Sequence, residues 1–292
     1  MNSNNTVSRR AGRMLLAAIL ALSVSLPATG RTNAPDVRIG WTAWSDAEVI
    51  SKMVALVLSR VGLDVELTLA DVSVQYRGLA ENDLDVMLMS WQPKTHAKYL
   101  REYGNRLEDL GTLYEGANLG LAVPAYVDAS IQSIDDLAAN ADMFDGEIEG
   151  IGESAGITGL TKDAMQTYGL DAYSLKASSG PAMAQRLGKA VAEKRPIVVT
   201  AWRPHWKWAA YDLRYLDDPK GVYEGEESVH AMARKGFASD NPKVAAFLER
   251  MHFELNDLET LMAAAREKGH RRALRDWLNA NSDRVRRWLE GD

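Results

Sequence analysis

Ile197-Val198-Val199-Thr200-Ala201-Trp202-Arg203-Pro204-His205-Trp206-Lys207-Trp208 is the stretch whose reading decides the fold. Its β-branched run reads as a strand, and Pro204, which has no N–H to give a ladder, stops it. Three tryptophans then fall within seven positions. Trp is rarely buried completely, and the negative face of its ring attracts cations, so a cluster just past a strand end points to a binding surface more than to core filling. Trp44 and Trp91 also follow apolar, strand-like runs. The expectation is that Trp202, Trp44 and Trp91 converge on one cation, with Trp206 and Trp208 packing on the segment behind.

Working outward, the same unit recurs. Val37–Gly40 reads as a strand running into Trp41-Thr42-Ala43-Trp44. Ser45 or Asp46 is placed to cap a helix that runs to about Val61 and ends at Gly62, and Val65–Leu69 alternates like a strand. A short helix near Val74–Glu81 precedes a strand over Asp85–Met89 that enters Ser90-Trp91-Gln92-Pro93, and Asn118–Pro124 is a further apolar strand. A second set of units begins with Ser133 capping Ile134–Leu137. It continues with a strand over Glu147–Ile151, a glycine-flanked turn at Gly152–Gly156, a helix from Thr158 to Tyr168, and a strand over Tyr173–Ala177. A helix opened by Ser178-Ser179-Gly180-Pro181 then leads to the strand entering Trp202. After Tyr223 the chain reads as helical, over Pro242–Met251, Leu255 to about Arg266, and Arg271–Leu289. Strands alternating with helices imply βαβ units around a mostly parallel sheet. The expected organisation is an α/β chain with a leader over residues 1–30, a first lobe over 31–122, a second lobe over 123–224, and a return to the first lobe over the helical 225–292.

Composition narrows the function classes. Arg9, Arg10 and Arg13, an apolar run from Met14 to about Leu26, and small residues to Gly30 read as a cleaved secretory signal peptide, too short to span a membrane. No cysteine is present, which removes disulfides, thiol catalysis and thiolate metal sites. A net charge of −6 argues against a nucleic-acid partner, and the basic residues from Arg266 to Arg287 are interleaved with acids at helical spacing, as on a solvated face. The five histidines show no metal-ligand spacing. His205 and His230 lie either side of Asp217 and Asp218, without a nucleophile elbow. Gly150-x-Gly152-x-x-x-Gly156 misses the dinucleotide fingerprint. No catalytic constellation, cofactor or metal is expected.

In open α/β sheets ligands sit outside the carboxyl ends of the strands, so Trp44 and Trp91 of one lobe would face Trp202 of the other across a cleft. Each indole is worth about 0.5–2 kcal/mol to a quaternary ammonium. A zwitterion would need a second site. The amides of Gly156 and Ile157, at a turn opening a helix, suit a carboxylate, and His96 could donate to the same group.

At these residues the chain resembles the substrate-binding proteins of glycine betaine and related osmoprotectant ABC importers. The correspondence is carried by Pro196–Trp206, Tyr215-Leu216-Asp217-Asp218-Pro219-Lys220, Ala43–Glu48, Ser90–His96 and Gly150–Ile157, in consistent order. The resemblance implies a two-lobe periplasmic binding-protein fold, type II-like, with its ligand in the interlobe cleft. It implies Trp44, Trp91 and Trp202 around a quaternary ammonium, and Gly156, Ile157 and His96 around a carboxylate. It also implies an ABC permease with its ATPase as partners and a monomer; the signal peptide and the absence of an anchoring cysteine point to a free periplasmic protein. The family often has Gly before Trp202 and Asp-Pro where Glu153-Ser154 stand. Gly40-Trp41-Thr42 is similar to the choline-binding branch, but the acidic residue that branch places two positions on is Ala43 here. Trp41 is therefore a further candidate for the box. A choline or carnitine receptor, and a secreted enzyme acting on quaternary amines, are the competing readings.

Overall fold

A computed structural model describes residues 34–223 and 225–291. The signal-peptide reading over residues 1–30 lies outside the described residues.

The strand that the opening motif announces is real and ends where Pro204 stops it, but the sheet around it is mixed. The first units are β1 (Val37–Trp41), α1 (Ser45–Arg60), β2 (Val65–Leu69), α2 (Val72–Ala80), β3 (Val86–Gln92) and α3 (Ala97–Tyr103), followed by the long β4 (Leu107–Pro124). The chain continues through α4 (Ile134–Leu137), β5 (Glu147–Glu149), α5 (Gly156–Thr167), β6 (Ser174–Lys176), α6 (Gly180–Glu193), β7 (Val198–Arg203), α7 (Lys207–Ala210) and β8 (Leu213–Tyr215). It closes with β9 (Glu227–Arg234), α8 (Phe237–Asp240), α9 (Pro242–Arg250), α10 (Leu255–Lys268), α11 (His270–Ala280) and α12 (Ser282–Glu290).

The strand order is β2-β1-β3-β9-β4-β7-β5-β6, with β8 on β4. Parallel pairs lie at the two ends, β1 with β2 and β3, and β5 with β6 and β7. The middle is antiparallel: β9 with β3 and β4, and β4 with β7 and β8. A mostly parallel sheet was expected, and β9 and the first part of β4 correct it. Glu227-Ser228-Val229-His230-Ala231-Met232-Ala233-Arg234 alternates, with Val229, Ala231 and Ala233 buried, but its polar partners hide the strand inside a stretch read as helical. β4 begins eleven residues before the expected Asn118, because three register shifts interrupt its ladder with β9. Gly111, at φ +101°, sits in the first of them, where an L side chain would be strained.

β4 joins the two halves. Ala117 pairs with Glu227, whereas Asn118, the next residue, pairs with Arg203 at the end of β7. One strand therefore belongs to both ladders, and a cavity lies where they meet. Elsewhere the local signals held. Ser133 forms a capping box with Asp136, and Ser179 accepts from the Ala182 N–H at the start of α6. Buried on nearly every residue, β3 reads as a continuous apolar run because both its faces are covered. The start of α1 differs. Trp44 occupies the N-cap and no side chain caps the helix, so neither Ser45 nor Asp46 does what was expected of it.

Candidate functional site

The three tryptophans arrive from three elements. Trp44 stands at the N-cap of α1, Trp91 near the carboxyl end of β3, and Trp202 near the carboxyl end of β7. All three line one small cavity, together with Leu119 of β4. Its other wall is Thr95, His96, Ile151, Ala155, Gly156 and Ile157. Trp91 and Trp202 are almost fully buried. Their planes are set by edge contacts: Tyr114 meets Trp91 at 6.4 Å and His205 meets Trp202 at 4.8 Å, both near perpendicular.

The polar end of the cavity presents donors. His96 is fully buried, and its Nδ1 accepts from the Trp91 N–H at 3.1 Å. The ring proton therefore sits on Nε2, which has no partner among the described residues. Burial pushes the imidazole down to about 3, so it is a neutral donor at neutral pH. Opposite, α5 starts at Gly156 with Ala155 at its N-cap and no side-chain cap. The Gly156 and Ile157 N–H groups make no hydrogen bond among the described residues, and they add to the positive end of the helix.

The two sides of this end are pressed together. A Cβ on Gly156 would lie 2.2 Å from the Thr95 carbonyl oxygen, so only glycine permits the approach. Tyr99, stacked on Tyr76 at 4.9 Å, donates from its hydroxyl to the Ser154 carbonyl at 2.6 Å. Thr95 is held from behind: its N–H and hydroxyl both donate to the Glu227 carboxylate, at 3.0 and 2.6 Å. Burial raises the Glu227 carboxyl, while the Thr95 donors hold it down.

The structure thus brings Trp44, Trp91, Trp202, His96, Gly156 and Ile157 around one space. Trp41 is not among the lining residues; it ends β1 with the Lys52 ammonium 5.1 Å over its ring. Trp206 and Trp208 stay outside it as well. Trp208 donates to the Trp202 carbonyl at 2.9 Å, and the Arg266 guanidinium covers Trp206 at 4.1 Å. Sequence reading missed Asp46, whose carboxylate accepts from the Tyr114 hydroxyl at 2.7 Å and the Trp202 indole N–H at 3.3 Å. It also missed Glu227 and Tyr99. Nothing local marks a cap-like Asp or an isolated Tyr as belonging to a distant strand.

His205 and His230 stand in separate hydrogen-bond networks. His205 is buried and accepts from the Lys207 N–H, while Asp218 binds the Tyr168 hydroxyl and the Tyr223 N–H. His230 bonds Asp109 and Ser228, at 2.9 and 2.8 Å. A nucleophilic triad keeps its carboxylate buried, and Asp109 is exposed. Among the described residues no cluster of three or more His, Asp or Glu is placed to hold a metal, and no helix is long and apolar enough to cross a membrane.

A family model for the substrate binding domain of ABC-type glycine betaine transport systems matches residues 35–280. A glycine betaine/carnitine transport binding protein of Listeria monocytogenes is 38% identical over 147 residues, 49% of each chain, so the match spans about half the length of that relative. Lactococcal OpuAC, solved closed and complexed with glycine betaine, superposes with a TM-score of 0.80 at 29% identity, covering 87% of this chain and 99% of that one. A choline binding protein of an ABC transporter, solved with choline, gives 0.81 at 27% identity, covering 87% of this chain and 91% of that one. The architecture is the two-lobe α/β fold of these binding proteins.

Proposed function

We propose, for a chain that belongs to the family of substrate-binding domains of ABC-type glycine betaine transport systems, that it captures glycine betaine or a close methylated analogue and delivers it to a permease and its ATPase. The quaternary ammonium sits among Trp44, Trp91 and Trp202, and the carboxylate takes the N–H groups of Gly156 and Ile157 and the Nε2–H of His96. One observation carries this reading: the cavity has an indole-walled end and an end of unused donors, with no carboxylate side chain among its lining residues. Such a space suits a small molecule that is cationic at one end and a hydrogen-bond acceptor at the other. Choline carries a hydroxyl in place of the carboxylate and would leave these donors poorly used.

The lobes are taken as 31–122 with 225–292, and 123–224. The partner change in β4 at Ala117–Asn118 supports a division in that strand, though it falls before the 122/123 boundary, since Asn118–Ala122 pair with β7. Ligand draws on both lobes, so capture and closure are one event. The protein acts as a periplasmic monomer, and the cleft binds without turning its ligand over.

Calorimetric titration with glycine betaine, choline, carnitine and dimethylsulfoniopropionate tests the assignment. Saturable binding of glycine betaine, with choline weaker, is expected. No heat and no shift in melting temperature at millimolar glycine betaine would refute it.

A further inference from the structure

Two charged side chains meet the Trp202 indole without lining the cavity. Asp46, 1% exposed, accepts from the indole N–H and from Tyr114. Lys207 is 0% exposed, and its ammonium lies 4.0 Å from the centroid of the same indole. That ammonium has no hydrogen-bond partner among the described residues. A lysine buried in this way is costly, and buried charges are ordinarily paired and hydrogen-bonded. Burial brings the Lys207 amine down to about 7, against the pull of the Asp46 carboxylate. Burial raises the Asp46 carboxyl, with the Tyr114 hydroxyl foremost among the groups holding it down. The neighbouring charges are otherwise engaged: burial keeps His205 neutral, Glu259 faces Arg203 at 3.7 Å, and Arg266 lies on Trp206.

We propose that Asp46 and Lys207 are specificity-determining residues, an anion and a cation set on one indole whose balance decides how strongly the cavity prefers a cationic head over a neutral head of the same shape. This rests on the betaine reading above. An N–H donated to a carboxylate leaves the indole richer in electrons and its face more attractive to an ammonium, whereas a cation already on the ring opposes a second one. Both charges also reach the ligand directly, through an interior where Coulomb forces are weakly screened. Asp46 comes from α1 and Trp202 from β7, so the device is assembled only where the two halves of the chain meet.

The probes are glycine betaine and 3,3-dimethylbutyrate, which replaces the ammonium nitrogen with carbon and keeps shape and carboxylate. Affinities for both are measured by calorimetry at about pH 6, below the value near 7 to which burial brings the Lys207 amine, in wild type, D46N, K207M and the double variant, with melting of each unliganded protein to report folding. D46N keeps an acceptor oxygen for Tyr114. It is expected to lower the ratio of betaine to dimethylbutyrate affinity by about tenfold or more. K207M is expected to raise that ratio by about threefold or more, and the double variant to return it to within about threefold of wild type. A purely structural role weakens both ligands together and leaves the ratio unchanged, which would overturn the proposal. Should D46N not fold, K207M decides alone, an unchanged or lower ratio being the refuting result. Wild-type protein that binds no glycine betaine overturns the ligand reading and this inference together; wild-type binding with unaltered ratios overturns the charge pair only.

Discussion

Replacing Gly156 with alanine should weaken ligand binding while leaving the unliganded fold intact. The added Cβ would stand 2.2 Å from the Thr95 carbonyl oxygen and 2.4 Å from its Cγ2. The methyl could rotate away, but the carbonyl is backbone, pinned because Glu227 holds the same residue by its N–H and hydroxyl. Relief requires the start of α5 to withdraw by about an ångström, and overpacking of this kind typically costs about 1–3 kcal/mol. Under the proposed closure, only the closed form bears that cost, so the dissociation constant for glycine betaine should rise by about 5- to 150-fold. Calorimetry gives the affinity, and thermal melting without ligand should match wild type within about 2 °C. A G156A protein that binds glycine betaine within about threefold of wild type would refute the argument that this contact limits closure.

Trp202→Ala removes the wall contributed by β7 and should cost about 2–4 kcal/mol of glycine betaine affinity, read by calorimetry because fluorescence loses its reporter. His96→Ala deletes the unpaired Nε2–H donor and should weaken glycine betaine by about 1–3 kcal/mol while changing choline much less, a comparison made in one titration series. Stability should fall as pH drops below about 6.5 toward 3, because His96 is held near 3 in the fold but takes a proton at its ordinary value when unfolded. In that window the unfolded chain binds more protons, so stability rises with pH, and urea melts at pH 7 and 5 should show it. H96Q should flatten this dependence, and an unchanged slope would count against the buried neutral imidazole.

Much of the architecture was legible because its signals are local. β7 ends at Arg203, just before Pro204; Ser133 and Ser179 cap their helices; and the strand over Val86–Gln92 opens on the apolar run Val86-Met87-Leu88-Met89. β9 and the first part of β4 were not legible. Their stabilisation comes from pairing with strands more than a hundred residues away in sequence for β9 with β3 and β4, and glycine-bearing bulges break the period that would have marked β4. Among site residues, the tryptophans stood out by type and by position after strands. Asp46 did not, since a polar residue at a helix start has an ordinary explanation in capping. The tertiary structure gives its carboxylate to Tyr114 and Trp202 instead.

By itself the sequence determined the alternation of strands and helices, the places where strands stop, and the residue types available to a cation and an anion, because propensity, proline and side-chain chemistry act over a few residues. Only the tertiary structure decided that the sheet is mixed and that β4 serves both ladders. It alone set Trp41 outside the cavity, left the His96 Nε2–H without a partner among the described residues, and put Lys207 against the indole of Trp202. Those outcomes depend on which distant surfaces meet and how much water they exclude, and no short window of the chain contains that information.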